Sequence, residues 1–327
     1  MPRIGELRIF LVENETESEL PPTSTRYQII EAAIHLALSL LESEKGRQSL
    51  VDVAKAILEE YNDRGRGHIY RDSLTNLPGW IDRFLKCLRG DFPSVYISEG
   101  IPGEAQARRH SWGNDMKKYE APDAVDLFIH KVLIDNVVYC RNNPEITGNA
   151  YQLFKFQLGV VIAHEFIHCL TGFFTGTSSA NTPPNVTLPH YGNTRTGEAG
   201  RFWESKLLGG VLEMWSSPED GLGVRQPGTP YLFEGGGRDK SGRRVSMEYI
   251  SDFNKGDFSF PIRTSSQGPA VTRKELEKAK SKETTEFRKK RPMRNAPAAS
   301  SPPPGASSSS LSYRRLPTTS QVTTSRR

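Results

Sequence analysis

The sequence predicts an α+β protein with a long apolar helix, several short alternating strands and a closing stretch too polar to join a core. The helix is Tyr151 to Phe174, where Leu153, Phe154, Leu158, Val161, Ile162, Phe166, Ile167 and Leu170 surround a charged trio. The strands are Val95-Tyr96-Ile97 and Val125 to His130, the second alternating Val125, Leu127 and Ile129 against Asp126, Phe128 and His130. The third observation is charge segregation: Thr264 to Arg327 holds 14 Lys and Arg against 4 Asp and Glu, and the rest of the chain 29 against 34. The formal +5 of the whole chain therefore describes no folded domain.

Arg26 to Leu41 reads as an amphipathic helix with Ile30, Ile34, Ala37, Leu38 and Leu41 on one face, where His35 is an ordinary helix histidine. Ser49 and Asp52 suggest the start of a second helix, Leu50 to Tyr61, and a third is expected around Trp80 to Leu88. These three define a helical amino-terminal layer over residues 1–89, followed by a core over 90–262. Within that core, Thr175 to Gly197 is rich in Thr, Ser, Asn, Pro and Gly and reads as a mobile loop. Tyr231-Leu232-Phe233 and Arg244 to Ile250 read as closing strands. Residues 263–327 contain Pro302-Pro303-Pro304 and Ser307 to Ser310 with few large apolar residues, and are expected to be a disordered basic tail.

The chemistry concentrates in His164-Glu165-Phe166-Ile167-His168. Helical spacing puts both imidazoles on one face, about one turn apart, with Glu165 at its edge. Buried without partners, such groups cost on the order of a few kcal/mol each. A metal ion resolves that cost, with Glu165 placed to take a proton from a metal-bound water; ordinary hydrogen bonds to the two histidines are the alternative. At these residues the chain resembles the zincin superfamily of metallopeptidases. The resemblance implies a zincin-like core, a Zn2+ cofactor, Glu165 as general base and a peptide or protein substrate.

The third ligand stays open. A metzincin-like pattern would need glycine and histidine where Thr171 and Phe174 stand, so the gluzincin branch, with a later glutamate, is the one implied. The segment Gly197 to Gly210 offers Glu198 and Glu204, and this glycine-flanked acidic stretch loosely resembles that of uncharacterised fungal HExxH-containing proteins. The two lie about 240° apart on a regular helix, so both cannot face one metal. Glu204, in a stripe with Trp203, Leu207, Leu208 and Val211, is slightly favoured; Glu198, near a helix start beside Ala199 and Gly200, is the near-even alternative. His190 is a third candidate ligand, and His190 or Tyr191 could also stabilise the oxyanion of hydrolysis. His130 is a possible pocket residue and more simply a surface strand histidine.

Other chemistries lack their residues. Gly235-Gly236-Gly237 has no Lys-Ser/Thr end, and there is no dinucleotide fingerprint, Ser-centred elbow or internal repeat. Cys87, Cys140 and Cys169 have neither zinc-knuckle spacing nor the even number of a disulfide framework, and Cys169 reads as a buried thiol. With no charged and apolar leader and no apolar run of spanning length, the expected setting is intracellular, cytoplasmic or nuclear, with no transmembrane segment. Arg288 to Arg294 is a solvated charge run or a contact for polyanions. The competing functional reading is a catalytically silent zincin-like scaffold that uses its basic tail for interaction.

Overall fold

The computed structural model describes residues 3–217 and 220–280, and the mixed helix and sheet composition is that of an α+β protein. In chain order the elements are β1 (Ile9–Glu13), β2 (Thr16–Glu19), α1 (Thr25–Glu42), α2 (Glu44–Asp63), α3 (Leu77–Gly90), β3 (Ser94–Ser98), β4 (Ala105–Arg109), α4 (Ala121–Ala124) and β5 (Val125–His130). Next come α5 (Lys131–Asn142), α6 (Pro144–Thr147), α7 (Ala150–Thr175), α8 (Ala199–Leu207), β6 (Val211–Trp215), β7 (Thr229–Phe233), β8 (Ser241–Arg244), α9 (Met247–Lys255), β9 (Val271–Thr272) and α10 (Arg273–Lys280).

One sheet runs β2-β1-β3-β5-β4, its three central strands parallel and both edges antiparallel. Period-two burial sets its inner face: Ile9 and Leu11, Val95 and Ile97, and Val125, Leu127 and Ile129 all point into the core. On the outer face Phe10, Tyr96 and Phe128 stack in register, capped by Arg8 over Phe10 and Arg108 over Phe128. Asn14 and Glu15, at φ 50° and 64°, make the two-residue β1–β2 turn. Because β1 pairs with β3, the boundary expected at residue 89 cuts through this sheet, and the amino-terminal segment belongs to the same core.

Of the expected helices, α1 and α3 match their predicted spans to within a few residues, while α2 begins earlier. Its N-cap is Ser43, whose hydroxyl accepts from Gly46 N; Ser49 lies inside the helix, donating to Gly46 O at 2.6 Å and accepting from Trp203 Nε1 at 3.0 Å. α7 is long and apolar enough to cross a membrane, unlike the sequence expectation, but 89% of its most apolar window is buried inside the protein. It packs between α1, β4, α8 and α9 as the central core helix. Burying one of its Phe, Leu or Ile side chains contributes about 1.5–3 kcal/mol, enough to hold a polar trio in fixed surroundings.

The second sheet is an antiparallel meander, β6-β7-β8-β9. The predicted strand over 244–250 ends at Arg244; Ser246 then caps α9, whose Tyr249, Ile250 and Phe253 are buried at helical spacing. Nor does the ordered chain stop at 262. Thr264 bridges Val245, β9 pairs with β8, and α10 comes after it, so the expectation of a disordered tail from residue 263 is corrected for 263–280. The remainder of that tail, with its basic run, lies outside the described residues.

Candidate metal centre

α7 carries His164, Glu165 and His168 in one turn and a half, deep in its apolar length. His164 is buried and His168 half-buried, their rings 5.2 Å apart on the same face. Opposite them stands the start of α8. Its N-cap is Glu198, which leaves regular helix geometry at φ −133° and ψ 88°. Glu198 Oε2 accepts the Arg201 backbone N–H of the first turn, and Oε1 turns outward to both imidazoles, 3.2 Å from His164 Nε2 and 2.8 Å from His168 Nε2. Gly200 permits this approach: a Cβ there would sit 2.4 Å from the His164 ring.

His164, His168 and Glu198 offer donor atoms that all lie within 4.8 Å of one another, and this group can hold a metal ion. Two imidazoles and a carboxylate suit a borderline divalent cation, and one ion with donors at about 2.1 Å draws them to a comparable span. Glu204, the slightly favoured ligand of the sequence reading, is not in this trio. It is fully buried behind His164, accepting from Nδ1 at 2.7 Å, from Arg201 Nη1 at 3.0 and 3.2 Å and from Leu212 N at 2.9 Å. The two glutamates do not face one ion together: Glu198, as N-cap, lies outside the regular helix and meets His164 Nε2, whereas Glu204 reaches the opposite nitrogen of the same ring.

The electrostatics follow from these two carboxylates on either side of one imidazole. Burial pulls the His164 pKa down, but the Glu198 charge and hydrogen bonds to Glu198 and Glu204 override it and lift the pKa to about 9. Burial raises Glu198 in turn, and the facing His164 and His168 outweigh this and hold it well below the usual carboxylate range. A cluster with two buried carboxylates therefore draws a positive charge between them, a proton or a metal cation.

Glu165 reaches the first sheet, where its Oε2 accepts the Ala107 N–H of β4 at 2.8 Å. That N–H faces the free edge of the sheet, since the other side of β4 is paired with β5. The polar sequence of β4, Ala-Gln-Ala-Arg-Arg, hid it from hydropathy-based reading, as an edge strand with one accessible face does. Tyr191 takes no part in the trio: its hydroxyl donates to Glu213 at 2.8 Å and accepts from Arg273 Nη2 at 2.7 Å. His190 is exposed at φ 73° and lies against Gly236 and Gly237. Neither is grouped with the metal donors, so the structure gives no support to their expected roles as ligand or oxyanion stabiliser. His130 caps α5 through Nδ1, 3.2 Å from Val132 N.

Compared with known proteins, the chain matches no family model, no curated protein and no solved structure.

Proposed function

We propose that this chain is a zinc-dependent peptide hydrolase with a zincin-like core. The reading is carried by one observation, the convergence of His164, His168 and Glu198 beside a glutamate held at a free strand edge. Zinc bound by the trio would supply a Lewis acid that polarises the scissile carbonyl and lowers the pKa of a water molecule. Glu165 accepts that water's proton and delivers it to the leaving amine. The Ala107 N–H fixes the Glu165 carboxylate, and Glu204 holds the His164 Nδ1 proton so that the Nε2 lone pair faces the trio. In β4 the N–H and C=O groups of Ala105 and Arg109 share the direction of those of Ala107, a row on which an extended peptide can pair.

The test is metal analysis followed by turnover. The full-length protein is expected to carry about one zinc per chain, lost in His164→Ala and His168→Ala, and Glu165→Gln is expected to keep the zinc and lose cleavage by about 10²–10⁴-fold. Parental cleavage by Glu165→Gln would remove Glu165 from the mechanism. A catalytically silent scaffold is the second reading, favoured by the bond that already ties Glu165 to the strand edge; a zinc-loaded wild-type chain that cleaves no peptide from a mixed-sequence library would select it. The run Arg288 to Arg294 is the proposed polyanion contact and an intracellular location the proposed setting, tested by heparin retention and by imaging the chain with and without that run.

A further inference from the structure

Arg109 closes β4 on the face that looks toward α7, with Ala105 and Ala107 before it on that face and Val125, Leu127 and Ile129 beside it on β5. Its side chain crosses α7 at Gly172, where an added Cβ would meet Arg109 Cδ at 3.1 Å. Gly172 is one turn beyond His168. The guanidinium ends within electrostatic reach of Tyr61 and Cys169, and Nη1 is shut off from solvent with no acceptor. No ion pair or hydrogen bond involves this guanidinium among the described residues. The residue is half-buried, so its charge is partly removed from water with no carboxylate to compensate, and burial accordingly lowers the Arg109 pKa.

This unpaired guanidinium shares β4 with the residue that holds Glu165. Ala107, two residues earlier, already touches the Glu165 carboxylate, so along the strand Arg109 lies about 7 Å from that contact. The glycine that gives the arginine its room lies on the side of α7 that carries Glu165, about 20° from it around the helix. A planar fork of donors in partly desolvated surroundings, unpaired by the fold, matches a carboxylate.

We propose that Arg109 is a substrate-binding residue that selects peptides carrying a carboxylate within two residues of the scissile bond. The carboxylate is either the free carboxyl terminus of the substrate or an Asp or Glu side chain. The peptide nature of this ligand rests on the hydrolase reading above; the anion preference of Arg109 does not.

The experiment uses the full-length chain carrying Glu165→Gln, so that binding is read by calorimetry without turnover. It compares three pools of hexapeptides of mixed apolar sequence: one with Asn and a carboxyl-terminal amide, one with Asn and a free acid, and one with Asp and an amide. One of the two charged pools is expected to bind about ten- to a hundredfold tighter than the neutral pool, and which one identifies the source of the carboxylate. Adding Arg109→Met is expected to erase the difference and Arg109→Lys to restore part of it.

Equal binding of all pools, no binding of any, or a preference that survives Arg109→Met overturns the proposal. If Arg109→Met does not fold, Arg109→Gln takes its place in the same comparison. Wild-type cleavage rates separate the two readings. Peptides cleaved without regard to carboxylates would leave the hydrolase reading standing and this one fallen, whereas Arg109-dependent carboxylate binding without cleavage would do the reverse.

Discussion

At the scale of single residues, the two glutamates that face one imidazole have different tasks. Glu198 offers Oε1 to the trio and caps a helix with Oε2, whereas Glu204 serves as counter-charge to Arg201 and acceptor for His164 Nδ1. Glu198→Gln is expected to abolish stoichiometric zinc binding at a stability cost of about 1 kcal/mol for the weakened cap. Glu204→Gln is expected to weaken zinc binding only about 10- to 100-fold and to lower the unfolding temperature more, because the buried Arg201 then loses the carboxylate charge that its Nη1 bonds. Zinc titration and thermal unfolding of both variants check the pair of effects, and the opposite order would return the ligand role to Glu204. The two histidines were legible as a pair because their spacing of four puts both on one face of one helix. The choice between Glu198 and Glu204 was not, since it depends on where α8 begins, and no sequence signal marks a glutamate as N-cap with the clarity of Ser or Asp. Arg109 was equally hidden: an arginine in a polar stretch looks solvated until the helix it crosses is known.

At the scale of elements, strong periodicity carried over to structure and local punctuation misled. The 24-residue apolar stretch became α7, and alternation at 125–130 became β5. Ser49 imitated a cap, but Ser43, six residues earlier, holds the first turn of α2, and the hydroxyl of Ser49 is used by Trp203 of α8 instead. That bond joins α2 to α8, and the close approach of α8 to α7 rests on Gly200. Replacing Gly200 by alanine separates intrinsic helix preference from function. Alanine favours an isolated helix by about 1 kcal/mol over glycine, yet its methyl group would overlap the His164 ring. Gly200→Ala is therefore expected to keep its helical content by circular dichroism while losing zinc affinity, because α8 or the imidazole must move. Unchanged zinc affinity would show that the α7–α8 contact is looser than its geometry.

At the scale of the whole molecule, residues 263–280 are tied to the core by one buried cation that composition could not reveal. Residues 263–280 share the basic, proline- and serine-bearing character of residues 281–327, so hydropathy places them in the tail. Arg273 nevertheless ties the start of α10 to β6, to the β7–β8 loop and to Tyr191: Nε donates to Glu213 at 2.9 and 3.1 Å, Nη1 to Gly235 O and Gly237 O at 2.8 Å, and Nη2 to the Tyr191 hydroxyl at 2.7 Å. Glu213 is only 2% exposed, so withdrawing Arg273 leaves a buried carboxylate with the hydrogen bonds of Tyr191 and Trp215 but without the guanidinium that bonds both of its oxygens. Breaking such a pair costs about 3–5 kcal/mol, which for a domain of this size lowers the unfolding temperature by on the order of 10 °C. A chain ending at Lys280 is therefore expected to unfold at the temperature of the full-length protein. A chain ending at Ala270 and the full-length Arg273→Met variant are both expected to unfold at that lower temperature, with matching midpoints. The comparison of all four by calorimetry is decisive in a way that truncation alone is not: if Arg273→Met matches the full-length chain, the segment is held by β9 pairing and not by its arginine. If the chain ending at Ala270 also matches, the fold closes near residue 262, as composition suggests.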